Sequence, residues 1–141
     1  MDSEKKMARI AGILYLVIIV CAGFSEGFVR ASVIVPGDAT ATANNIIASE
    51  SLYRLGFVFD LIAFLCDLAV SIIFYFLFRP VSKVLSLISA SLRLLAHPAI
   101  ASINLLNHYL ALQLLEGSDY LSVFTTDQLN ALVLLFLDTH T

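Results

Sequence analysis

The residues able to do chemistry in this 141-residue chain are few, and they sit in apolar company. Asp60, Asp67, Arg93, His97, Asn104, His108 and Glu26 all interrupt long hydrophobic runs. An Asp or Arg at mid-bilayer costs about 2.5–3.5 kcal/mol on insertion scales, so such groups face protein or water and find partners. Two kinds of chemistry suit them: ion pairing between helices, or carriage of a proton, an ion or a small polar ligand. Catalysis lacks its usual parts. His97 and His108 are 11 positions apart, about 16 Å along a helix, too far to share a metal. No His pair at i,i+4 encloses a Glu, and the chain has neither a nucleophile elbow nor a phosphate-cradling Gly loop. We therefore expect no enzyme, and assign no catalytic residue, metal or cofactor from the sequence.

The elements that must hold these residues are helices in lipid. The chain is 60% hydrophobic and 13% charged, with a mean hydropathy of +0.92, whereas soluble domains run nearer 45–50% and about 25%. Disorder is excluded by the apolar surface to be buried. A net charge of −3 and a pI of about 5.4 leave no basic footprint for nucleic acid. A hydrocarbon core about 30 Å thick needs about 20 apolar residues, and three stretches qualify: 8–28, 55–78 and 84–115. The first reads as a span rather than a cleaved signal peptide, because its apolar run continues past Ala22 to Phe28. A fourth helix, over about 126–139, opens on a capping box at Thr125 and Gln128. Leu129, Leu132, Val133 and Phe136 follow as its expected buried face. It is too short to cross, and reads as a span cut off at the chain's end. The expected fold is all-α: one integral membrane helical bundle over 1–141, with three transmembrane helices and a truncated fourth.

Register within the hairpin sharpens this. Asp67 lies 13 positions before Pro80 and Arg93 13 after it, so the two arrive level and are expected to pair. Asp60, Asp67 and Ser71 share one side of their helix; Arg93, His97, Asn104 and His108 share one side of theirs. Asp60, 20 positions before the turn, comes within reach of His97 or Asn104. Gly12, Tyr15, Ala22, Gly23 and Glu26 form a small and polar face on the first span, suited to close helix approach. Glu26–Arg30 and Glu50–Arg54 read as i,i+4 pairs near the outer surface.

Lys5, Lys6, Arg9, Arg79 and Lys83 put the N-terminus and the 79–83 turn in the cytoplasm by the positive-inside rule. Val35-Pro36-Gly37-Asp38 fits a type II turn, after which Asp38 caps a short surface helix running towards Tyr53. Arg79-Pro80 ends the second span, Pro98 should kink the third, and Gly117 should close it. Cys21 and Cys66, both within spans, read as free thiols.

Two functions compete. The polar seam is either structural, in a scaffold or partner subunit that docks helices through it, or a transporter-like site where Asp60, Asp67 and Arg93 bind an ion, proton or small polar ligand. The expected partners are the lipid bilayer and a second copy or another membrane subunit, not nucleic acid.

The chain also resembles the bacterial membrane-protein family catalogued as domain of unknown function 4386. The resemblance rests on Ala8-Arg9-Ile10-Ala11-Gly12-Ile13-Leu14-Tyr15-Leu16 and on Val33-Ile34-Val35-Pro36-Gly37-Asp38-Ala39-Thr40-Ala41-Thr42-Ala43. It continues through Ser49-Glu50-Ser51-Leu52-Tyr53-Arg54-Leu55-Gly56-Phe57-Val58, Leu77-Phe78-Arg79-Pro80-Val81, Leu92-Arg93-Leu94, Asn104-Leu105-Leu106-Asn107 and Leu134-Leu135-Phe136-Leu137-Asp138. It implies a multi-pass protein of the bacterial cytoplasmic membrane and brings no established activity, cofactor or catalytic residue. Relatives continue into further spans beyond the last of these stretches, so the resemblance implies a truncated member. The proline at Pro98 departs from the family's pattern.

Overall fold

The computed structural model describes residues 2–139, except for the side chains at 2, 96 and 97. Within them the chain forms helices and the short connections between them, with no strand. Helix α1 (Asp2–Phe24) passes without a break into a π-helical turn (Ser25–Arg30) and a last short piece, α2 (Ala31–Val33). A loop leads to α3 (Ala39–Ala48), then α4 (Glu50–Phe78), α5 (Lys83–Glu116), a 3₁₀ turn (Asp119–Val123) and α6 (Thr126–Asp138). Three helices are long and apolar enough to cross a membrane: Ser3–Val33, Glu50–Phe78 and Lys83–Glu116. At most 17% of the most apolar stretch of any of them is buried inside the fold. Side chains such as Ile13, Leu16, Leu65, Leu95 and Ile103 point outward, which only an apolar surrounding makes favourable over so large an area.

The connections follow their local chemistry. Gly37 takes φ 77°, the Asp38 amide donates to the Val35 carbonyl at 3.0 Å, and Asp38 caps α3 by accepting from Ala41 at 2.8 Å. Arg79 ends α4, Ser82 caps α5, and Gly117 closes α5 at φ 69°. Thr125 and Gln128 complete a reciprocal capping box on α6. Helix α5 runs through Pro98, and Ser102 Oγ donates to the Pro98 carbonyl at 2.7 Å.

Packing departs from the sequence expectation in three places. The helix after the Pro36-Gly37 turn stops at Ala48 rather than reaching Tyr53, and it is no mere surface element, because Thr42, Ala43 and Ile46 are buried. It packs with α5 against α6, which turns Asn130, Val133 and Leu137 inward. Leu129, Leu132 and Phe136 flank that face half-buried; having two partners rather than one rotates the helix by about one position. The small residues also act elsewhere. No atom would lie within 4 Å of a Cβ at Gly12 or Gly23, whereas one at Gly56 would stand 2.9 Å from Val29 Cγ1. Among the helical glycines, Gly56 on α4 is therefore the one where the first helix approaches closely. Val33, Ile46, Tyr53, Ala111, Leu112, Val133 and Leu137 gather into one apolar core at the end of the bundle away from the 79–82 turn.

Candidate functional site

Helix α1 runs antiparallel to α4. Tyr15 packs near Phe74 and Phe24 near Phe59, and Ser25 Oγ donates to the Gly56 carbonyl at 3.2 Å. Helix α5 returns beside α4 as a hairpin, pinned near its turn by Ser86 Oγ donating to the Tyr75 carbonyl at 2.6 Å. Two groups of charge lie between these three helices.

The first is the pair level with the hairpin arithmetic. Arg93 Nη2 donates to Asp67 Oδ1. The guanidinium also lies 4.9 Å from the Tyr15 ring centroid and 5.6 Å from that of Phe74, close enough for cation–π attraction. Asp67 is 7% exposed, and its Oδ2 and Arg93 Nε are buried without a hydrogen-bond partner.

The second group centres on Arg30, which is 5% exposed. Its Nη2 reaches Asp60 Oδ2 at 3.5 Å and His108 Nδ1 at 3.4 Å, and its Nε lies 3.2 Å from Glu26 Oε1. That last contact is an ion pair without hydrogen-bond alignment. His108 Nε2 stands 3.0 Å from the Tyr53 carbonyl, which can only accept. Nε2 therefore carries the proton, and Nδ1 accepts from Arg30 in the neutral ring. Tyr53 answers by donating its hydroxyl to the His108 carbonyl at 3.0 Å, with the two rings 3.9 Å apart. This reciprocal clasp binds α4 to α5.

A cavity of about 290 Å³ joins the two groups. Tyr15, Ile18, Ala22 and Glu26 line it from the first helix, Asp60, Ala63, Phe64 and Asp67 from α4, and Arg93, Ala101, Asn104 and Leu105 from α5. It has room for about ten water molecules at about 30 Å³ each. Its make-up, mostly apolar with a few convergent polar groups, is that of a small-ligand site.

Of the residues singled out from the sequence, Glu26, Asp60, Asp67, Arg93 and Asn104 share this cavity. His108 does not line it; its ring packs against those of Tyr53 and Phe57 and touches the site through Arg30. The His97 side chain lies outside the described residues, as does His140. Asp60 takes Arg30 as its ion-pair partner rather than His97 or Asn104. The Glu26–Arg30 pair is likewise no surface pair on its arginine side, because the π-helical turn swings Arg30 under α4 and α5. Arg30 and Tyr53 are the residues that sequence reasoning missed as part of the site. Among the described residues, no group of three or more His, Cys, Asp or Glu side chains is arranged to hold a metal ion.

No curated protein and no solved structure matches the chain. Residues 10–141 match the family model described as Domain of unknown function (DUF4386). With all but its first nine residues matched, the chain belongs to that family.

Proposed function

We propose that this chain is an integral membrane protein whose inter-helix cavity binds a small polar solute, the binding step of a transporter-like module. One observation carries this: the seam between α1, α4 and α5 is not closed by packing but holds about 290 Å³ with charged groups along it. A seam that served only to dock helices would fill that volume, since interiors pack to near-crystalline density. Lipid covers the outward apolar side chains, in a bacterial cytoplasmic membrane on the family resemblance. The antiparallel packing puts the α1 N-terminus at the same end as the 79–82 turn. Lys5, Lys6, Arg9, Arg79 and Lys83 therefore gather at that end, which the positive-inside rule makes cytoplasmic.

The second reading, a scaffold or partner subunit, is favoured by the Tyr53–His108 clasp, which spends two hydrogen bonds on docking alone. One experiment separates the two. In lipid nanodiscs, with Cys21→Ala and Cys66→Ala as background, Ala101→Cys should react with a water-soluble methanethiosulfonate reagent. Ile103→Cys, on the outward face, should not. An unreactive Ala101→Cys would leave the scaffold reading standing and defeat the binding one.

A further inference from the structure

We infer that a groove between α4 and α5, at the end of the bundle away from the 79–82 turn, holds the headgroup of a zwitterionic phospholipid, one carrying a phosphate and a primary ammonium. The inference rests on the proposed membrane setting and not on the inter-helix cavity. The groove has a volume of about 330 Å³. The clasped rings of Tyr53 and His108 form its floor, and Arg54, Phe57, Val58, Tyr109 and Leu112 its walls. It opens outward, where Val58 and Tyr109 are 46% and 48% exposed. Beneath it Leu61 and Leu65 on α4 and Leu106 on α5 continue the outward apolar surface, a track for the lipid's acyl chain.

The depth suits a headgroup. Arg54 lies 26 positions before Pro80, about 39 Å along α4 at about 1.5 Å per residue. A bilayer is about 30 Å thick in its hydrocarbon core and about 40–45 Å with its headgroups. With the 79–82 turn in one headgroup layer, Arg54 reaches the other, where a half-exposed tyrosine such as Tyr109 also belongs. The charges at this rim are open to a ligand. Arg54 Nε donates to Glu50 Oε1 at 2.7 Å, and its Nη2 donates to Glu116. Among the described residues nothing takes the protons of Nη1, and nothing donates to Glu50 Oε2. A phosphate suits the first and an ammonium the second. Because two carboxylates meet one guanidinium here, a lipid whose whole charge is its phosphate meets net repulsion. A quaternary ammonium has no N–H to give Glu50. A primary ammonium beside a phosphate satisfies both sides of the rim.

The chain has no Trp, so one introduced indole reports on its own lipid neighbours. Val58→Trp places it at the groove, with Tyr109→Trp in its stead where the first change unfolds the chain. Ile19→Trp, on the outward face of α1, is the control. Each full-length variant is reconstituted in phosphatidylcholine vesicles. Chain-dibrominated phosphatidylethanolamine, phosphatidylcholine or phosphatidylglycerol then replaces part of the host lipid, and quenching gives each lipid's affinity relative to the choline lipid. At the groove the ethanolamine lipid should be favoured about threefold, the size expected of one or two exposed charged contacts. The glycerol lipid should do no better than choline, and Ile19→Trp should show no preference. Arg54→Gln, at a half-exposed side chain, should abolish the preference at the groove. Equal quenching by the three lipids there, a preference for the glycerol lipid, the same preference at Ile19→Trp, or one that survives Arg54→Gln would overturn the headgroup site while leaving the membrane setting intact. No quenching at either position would overturn both.

Discussion

Arg93 and Arg30 carry the same group into the same seam, but they are held differently. Arg93 has one carboxylate, Asp67, which its own hairpin delivers, and the pair is neutral within itself. Arg30 comes from the first helix and touches Asp60 on α4, His108 on α5 and Glu26 one turn back, so it ties three helices with one cation. A pair is replaceable as a unit, because deleting both partners removes the desolvation cost with the attraction. A shared centre is not, since no single compensating change answers three partners at once.

The sharpest way to break this contrast is to delete each cation. Arg30→Met leaves Glu26 and Asp60 facing each other and withdraws the donor from His108. It should cost at least about 3–5 kcal/mol, the range for leaving a buried charge without its partner. Neither Asp60→Asn nor Glu26→Gln alone should restore it. Arg93→Met should cost about 3 kcal/mol, the low end of that range, and adding Asp67→Leu should recover most of it. Exchanging the two, Asp67→Arg with Arg93→Asp, should also keep the fold. Equilibrium unfolding in mixed detergent micelles reads all of these. A larger loss at Arg93, or repair of Arg30→Met by one neutral substitution, would erase the distinction.

The same contrast explains what the sequence made legible. Depth in an antiparallel hairpin is arithmetic, so 13 positions on either side of Pro80 sufficed to bring Asp67 and Arg93 level. Caps and turns were equally readable at Asp38, Gly117 and Thr125, because the signal and the bond lie within four residues of each other. Extending the arithmetic would have found the clasp too, since Tyr53 lies 27 positions before Pro80 and His108 28 after. Arg30 lay beyond that method. Its burial depends on a π-helical turn between Ser25 and Arg30, and such a turn shifts every later side chain around the helix axis without a composition of its own. The face of α6 was missed by one position for a related reason: tertiary partners, not its own periodicity, chose which way it turned.

Gly56 offers a smaller break. A Cβ there would meet the branched side chain of Val29, and a β-branched residue has little rotamer freedom in a helix with which to retreat. Gly56→Ala should therefore cost about 1–3 kcal/mol, as overpacking does. It should also loosen Arg30, one residue beyond Val29, from Asp60 more than it disturbs Arg93. Val29→Ala added to it should restore the Arg30 contact, while the loss of a buried side chain keeps the stability below that of the unaltered chain. Gly12→Ala and Gly23→Ala, where nothing stands within 4 Å, should be neutral or stabilising by up to about 1 kcal/mol, the helix-propensity difference. Destabilisation at those two positions as large as at Gly56 would mean that close approach is not what sets the first helix in place.

The smallest effect belongs to Tyr53→Phe. The change removes the hydroxyl that donates to the His108 carbonyl, but a helical carbonyl already accepts from the amide one turn on, so no acceptor is stranded. The reciprocal bond from His108 to the Tyr53 backbone survives, as does the ring contact. A single such bond between membrane helices is worth about 0.6 kcal/mol on average, and a loss of that size is expected in the same unfolding measurement. The reactivity of Ala101→Cys with the water-soluble reagent should stay unchanged, because Tyr53 does not line the cavity. Reactivity lost together with that hydroxyl would instead mean that the clasp holds the cavity open, and that the clasp and the cavity are one continuous site.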